Sequence, residues 1–193
     1  MSQYGLLEWV SNTFSLIYTK VFFPNARLIR LPFYLRGKKS LSLKKGFTTG
    51  HACRIDLPKG MDITLRINEN VRIGDNVHIV AHQSVSIGEN CLFASKIFIS
   101  DTDHGIIKGE GEHTNPSIPP ASRPLISYPV KIGNNVWVGE NVVILPGVTI
   151  GDGCIIGANS VINRDIPAYT IAAGVPAKVI KQYDFETSRW VTV

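Results

Sequence analysis

The chain reads as an all-β repeat protein, and three observations carry that prediction. Six hexads run without a gap over 132–167, starting at Ile132, Val138, Ile144, Ile150, Ile156 and Ile162. Their second position is Gly at 133, 139, 151 and 157, with Leu145 and Asn163 as exceptions. Their fifth is compact or β-branched throughout: Val136, Val142, Val148, Cys154, Ser160, Ile166. A period of six is even, which suits short strands broken by turns. A helix cannot use it, because six steps of about 100° rotate the chain by roughly 600° and leave the aliphatics without a common face. Each unit then buries its apolar side only against its neighbours. The hexad Gly is expected to supply the turn conformation that a Cβ hinders.

The elements follow in chain order. Residues 1–40 form an N-terminal helical and basic segment. Within it Leu6, Trp9, Val10, Ile17 and Val21 fall near helical spacing, and Pro24 ends the pattern. This helix either caps the open end of the repeat or lies on a membrane surface with Trp9, Phe14, Phe22 and Phe23 in the interface. Repeat architecture spans 41–181. Leu43, Thr49 and Ile55 are six apart, an insert with Pro and Gly covers 57–62, and Ile67, Ile73, Ile79 and Val85 resume the period. The frame then slips by two, to Ile87, Phe93 and Ile99. An excursion over 105–129 carries Gly105, Gly109, Gly111 and five prolines without any period. A loop of that length inside a compact domain is functional or disordered, and it departs directly after His104. Residues 182–193 are a short tail.

A chain of 193 residues, 44% hydrophobic and 18% charged, is a globular domain and not a disordered one. The net charge of +5 is uneven: residues 1–50 hold eight Lys or Arg against one acid, and the remainder is slightly acidic. Nucleic acid is one kind of partner for such an N-terminus and anionic lipid or glycolipid phosphate another, with a plain solvated surface as the alternative; of these, no nucleic-acid role is assigned. Cys53, Cys91 and Cys154 are odd in number and far apart, so they read as buried thiols in a reducing compartment, not a disulfide frame or a metal site. The reducing compartment places the protein in the cytoplasm, with a peripheral position at the inner membrane open; no signal peptide or membrane-spanning run is expected.

The hexads, "SDTDHG" (100–105), "IGNNVWVGENVVILPGVTIG" (132–151), "IGANSVI" and "AGVPAKVIK" (173–181) together resemble the hexapeptide-repeat acetyltransferases. The galactoside and maltose O-acetyltransferase type is nearest, and the acetyltransferases of lipopolysaccharide and capsule synthesis nearer still. The resemblance implies a left-handed parallel β-helix, with 132–149 and 150–167 each forming one coil. That hand runs against the usual crossover rule and could not be read from periodicity. The resemblance also implies a homotrimer with active sites between neighbouring β-helices, acetyl-CoA as co-substrate, a sugar hydroxyl in surface polysaccharide as acceptor, and no metal.

Acetyl transfer to an alcohol needs a base near neutrality, donors for the oxyanion and a cradle for CoA. By the resemblance His104 is the base, with Asp101 or Asp103 orienting its ring in the manner of a triad acid. Trp137, Gly139, Glu140, Ala158, Asn163 and Arg164 line the CoA channel, and Lys178 and Lys181 meet its phosphates. Relatives carry Ser at the Glu140 position and Thr at the Asn163 position. His82 falls where sugar acetyltransferases carry an acidic acceptor contact, and His113 lies in the loop within reach of the acceptor. His51 reads as structural. His78 and His82 with His104 raise a zinc site of the kind found in carbon dioxide-hydrating β-helix trimers. That family spaces its ligand pair one residue wider and lacks the CoA motifs. N-acetylation of an amino-sugar nucleotide and a non-catalytic scaffold remain as alternatives.

Overall fold

The structure is a computed structural model describing residues 5–60 and 62–193; residues 1–4 of the N-terminal segment and Met61 lie outside the described residues. The chain winds as a left-handed parallel β-helix with three flat faces. The first face stacks Phe33–Arg36, Cys53–Asp56, His78–Val80, Phe98–Ser100, Val143–Ile144 and Val161–Ile162. The second stacks Leu41–Leu43, Leu65–Ile67, Val85–Ile87, Val130–Ile132 and Thr149–Ile150. The third stacks Arg72–Ile73, Leu92–Phe93, Trp137–Val138, Ile155–Ile156 and Thr170–Gly174, then turns antiparallel through Ala177–Asp184 and Arg189–Thr192. The C-terminal tail therefore ends as a paired strand. The sheets also begin earlier than the hexads do, because Phe33–Arg36 pairs in register with Cys53–Asp56.

The register explains the period. Trp137 pairs with Ile155, Val143 with Val161 and Lys131 with Thr149, so a regular coil repeats every 18 residues. Ile67, Ile87 and Ile132 stack in one column, as do Ile55, Ile79, Ile99, Ile144 and Ile162. These residues and the fifth hexad positions fill the core of the prism and are almost fully buried.

The hexad Gly does not play the role expected of it. Left-handed backbone falls at the fourth position instead, on Asn135, Asn141 and Asn159 with φ of 56°, 58° and 58°. Asn tolerates that conformation, and its amide side chain pairs with the next coil, as Asn141 Nδ2 does on Asn159 Oδ1 at 3.0 Å. The second-position Gly is needed for close approach. A Cβ on Gly139 would stand 2.7 Å from the amide nitrogen of Ala158 in the coil above.

Every departure from the regular coil leaves at one corner, between the first and second faces. The insert at 57–64, the slip at 81–84 and the excursion at 101–129 all lie there, between strands of those two faces. The last is a two-stranded antiparallel arm, Thr102–His104 against Leu125–Ser127, followed by loop. Helix α1 (Leu6–Phe22) covers the first coil. Its buried Ser15 and Thr19 hydroxyls accept the N–H groups of Leu31 (3.1 Å) and Ile29 (2.8 Å), which the open end would otherwise leave unpaired.

Candidate active site

Asp101 organises the insertion corner. It is fully buried, and its carboxylate accepts the backbone N–H of His82 (2.9 Å), Gln83 (2.8 Å) and Ser84 (2.8 Å) and the hydroxyl of Thr102 (2.7 Å). A buried carboxylate is tolerated when its lone pairs are filled in this way. One side chain thus ties the slip at 81–84 to the root of the arm. Gly105, with φ of +102°, turns the chain out of the arm and donates its N–H to the Pro124 carbonyl at 2.8 Å. Thr114 closes the next loop through its hydroxyl to Ile106 N at 2.8 Å.

His104 sits at the tip of the arm strand, exposed, with its backbone opposite Leu125. Its ring makes no hydrogen bond or ring contact among the described residues, so both nitrogens are available. Neither acid expected to orient it does so. The oxygens of Asp101 are taken up by the corner turn. Asp103 alternates to the other side of the strand, where its Oδ2 stands 3.4 Å from Lys108 Nζ without hydrogen-bond geometry. Lys108 has no sequence signal, yet it fastens the loop to the prism: Nζ also donates to the Pro146 carbonyl at 2.8 Å and lies 4.9 Å from the Tyr128 ring centroid.

The residues expected to meet CoA divide between two corners. Asn163 and Arg164 lie above the arm, at the insertion corner. Gly139, Glu140 and Ala158 stack at the corner between the third and first faces, beside the half-exposed Trp137. Glu140 is engaged there: its Oε2 accepts the Ser95 N–H at 2.9 Å, and its carbonyl accepts Asn159 N–H at 2.8 Å. Gly139 and Ala158 leave bare backbone at that edge, a surface a pantetheine chain can approach closely. Lys178 and Lys181 project from the strand paired to Thr170–Gly174 at the same end, exposed and without a side-chain partner among the described residues. The arm and the Gly139–Ala158 edge stand at opposite ends of the first-face strands, with the buried core of the prism between them. One chain therefore does not bring His104 to the Gly139–Ala158 edge.

The other histidines separate. His82 is half-buried at the Asp101 turn, and His113 donates from Nε2 to the Gly109 carbonyl at 3.1 Å within its own loop. His51 is structural, its Nδ1 donating to the Leu31 carbonyl at 2.7 Å. His78 Nε2 lies 2.9 Å from Asp56 Oδ2 on the first face, beside Arg54 Nε at 2.6 Å from the same oxygen. Burial opposes ionisation of Asp56, but the hydrogen bonds from Arg54 and His78 and the charges of Arg54 and Arg36 outweigh it and hold the carboxyl below its usual range. Among the described residues no three His, Cys, Asp or Glu side chains gather as a metal site.

The prism of stacked hexads thus carries one long arm, rooted at Asp101 and tipped by His104, and a bare-backbone edge beside Lys178 and Lys181. Residues 129–164 match the family model described as bacterial transferase hexapeptide (six repeats), and residues 65–94 match the hexapeptide repeat of succinyl-transferase. The protein of Escherichia coli (strain K12) called "Putative lipopolysaccharide biosynthesis O-acetyl transferase WbbJ" is 43% identical over 189 residues, 97% of this chain and 95% of that one. The galactoside O-acetyltransferase of the same strain is 35% identical over 160 residues, 78% of this chain and 71% of that one. Among solved structures, a maltose O-acetyltransferase from Clostridium difficile 630 superimposes with a TM-score of 0.65 at 26% identity, covering 93% of this chain and 90% of that one. A galactoside acetyltransferase in complex with coenzyme A gives 0.58 at 34% identity, covering 76% and 70%. The chain belongs to the hexapeptide-repeat acetyltransferases.

Proposed function

We propose that the protein transfers the acetyl group of acetyl-CoA to a sugar hydroxyl in the synthesis of a bacterial surface polysaccharide, working as a homotrimer in the cytoplasm. The observation that carries this reading is His104: an exposed imidazole with no partner among the described residues, on an arm rooted by Asp101. The solved coenzyme A complex of the galactoside acetyltransferase supports the donor, and the lipopolysaccharide and galactoside relatives support the acceptor.

The split of the site residues between two corners supports assembly. In a three-fold ring, the arm of one copy faces the Gly139–Ala158 edge of the next, so each cleft receives a base from one side and a donor cradle from the other. Bare backbone at that edge holds the pantetheine, and Lys178 and Lys181 neutralise the phosphates. His104 accepts the proton of the sugar hydroxyl. The sugar oxygen bonds to the thioester carbonyl carbon, the carbon–sulfur bond breaks as the intermediate collapses, and the proton passes from the imidazolium to the departing thiolate. His82 and His113, from the corner turn and the loop, border the acceptor side.

Release of CoA thiol on mixing enzyme, acetyl-CoA and neutral oligosaccharides tests the reading. Acetyl ester on the sugar is expected. Acetylation of amino-sugar nucleotides alone, or no turnover with either acceptor class, contradicts it.

A further inference from the structure

Helix α1 is turned inside out. A surface helix normally lays its apolar stripe on the core. Here the body-facing arc is polar: Ser15 and Thr19 are its fully buried residues, and both hydrogen-bond the first coil. The opposite arc carries Leu6, Val10, Phe14, Ile17 and Val21, which are 82%, 48%, 66%, 57% and 67% exposed. Those two hydroxyl contacts fix the roll of the helix, so the apolar arc cannot turn inward without orphaning the Ile29 and Leu31 amides. A contiguous apolar patch of this kind marks an interaction surface.

Cations surround it. Lys20 lies on the helix itself. Arg27 shares a groove with Trp9 and Leu16 on one flank. On the other, Lys38 Nζ donates to the Phe22 carbonyl at 2.8 Å and lies 4.7 Å from the Phe23 ring centroid. The exposed Lys44 and Lys45 are held beside the helix end by the Gly46 N–H to Asn25 carbonyl bond at 3.1 Å. Over residues 5–60, ten Lys and Arg stand against two acids, Glu8 and Asp56.

We propose that this face docks on an anionic phospholipid bilayer. The helix lies in the plane of the interface, its apolar arc below the headgroups and its basic rim on their phosphates. The charge selects this occupant: a second copy would bring a surface of the same sign against it, whereas anionic headgroups complement it. No described helix is long and apolar enough to cross a membrane, so the contact is peripheral. The proposal does not depend on the acetyl-transfer reading, and its test uses no activity measurement.

Flotation of the full chain with vesicles decides it. Binding is expected to vesicles of phosphatidylglycerol and phosphatidylethanolamine, and to fall by about tenfold or more on phosphatidylcholine alone or in high salt. The double variant Phe14→Glu/Ile17→Glu should lose the binding while keeping the wild-type melting temperature, because both side chains point away from the body. Lys20→Gln/Lys44→Gln/Lys45→Gln should weaken it on anionic vesicles with the apolar arc intact. Failure of the wild type to float with anionic lipid overturns the proposal, as does binding unchanged in the glutamate variant. A wild type that ignores vesicles while the glutamate variant sediments as a smaller assembly would make the face a subunit contact, and would equally overturn it.

Discussion

The coils over 130–167 and the corner between the first and second faces follow opposite rules. In the coils every residue answers to its neighbour 18 positions away: Trp137 to Ile155, Val143 to Val161, Asn141 to Asn159. At the corner the repeat gives way three times, and local side chains replace it. Asp101 holds one turn, Gly105 another, and Lys108 the loop beyond. A solenoid can vary one corner freely because its stability comes from stacking along the faces. The proposed chemistry uses the corner where the stacking is interrupted, together with the Gly139–Ala158 edge at the other end of the first face.

Substitutions that separate the two regions sharpen this contrast. The largest effect is expected at the arm. His104→Ala should lower kcat by about 10²–10⁴-fold, with the melting temperature unchanged, because the exposed ring has no hydrogen bond or ring contact among the described residues. A fall in stability of comparable weight would make His104 a structural part of the arm. Asp101→Ala should do both. It leaves the part-buried His82, Gln83 and Ser84 amides without their acceptor, at about 1–3 kcal/mol in all, and it unfastens the arm. The urea midpoint and kcat should drop together, and an unchanged midpoint would remove Asp101 from its clamping role.

In the coils only stability should move. Gly133→Val, at the corner between the second and third faces, puts a side chain against the Asp152 amide and should cost about 1–3 kcal/mol. Asn141→Val forces a β-branched residue into left-handed backbone, at about 1–2 kcal/mol, whereas Asn141→Gly should be nearly neutral. The reverse order would return the turn role to the hexad Gly. The smallest effect is on the core thiols. Burial pushes Cys53 and Cys91 up from 9.0 to about 11. The folded thiols keep protons that the unfolded chain releases, so this contribution lowers stability as pH rises through 9 to 11. Urea midpoints should therefore fall between pH 8 and pH 10.5 in the wild type, and by less in Cys53→Ala relative to its own midpoint at pH 8. An equal fall would leave the thiols uninvolved.

The prism was legible because its signal is periodic: Ile132 through Ile162 name their own stacking column. The Gly–Asn exchange was not, since both residues suit left-handed backbone and only the packing of Gly139 on Ala158 tells them apart. His104 could be placed from its motif and its position at the root of the excursion. Asp101 could not be told from Asp103 by sequence, because burial at the 81–84 turn depends on a fold in which those residues lie one coil below. The roll of α1 was equally hidden: Leu6, Val10, Ile17 and Val21 announce an amphipathic helix, and only the bonds of Ser15 and Thr19 show which side faces out. Lys108 acts through contacts that no local pattern foretells.

The central claim is that each cleft draws His104 and the Gly139–Ala158 edge from different copies, and complementation tests it most directly. His104→Ala removes the base, and Ala158→Trp fills the exposed donor edge; each chain alone should be inactive. When the two are unfolded together in equal amounts and refolded, random assembly should place an intact arm against an intact edge in about one quarter of the clefts, restoring about that fraction of wild-type turnover. No recovery in properly mixed assemblies would place both halves of the site within a single chain and contradict the account.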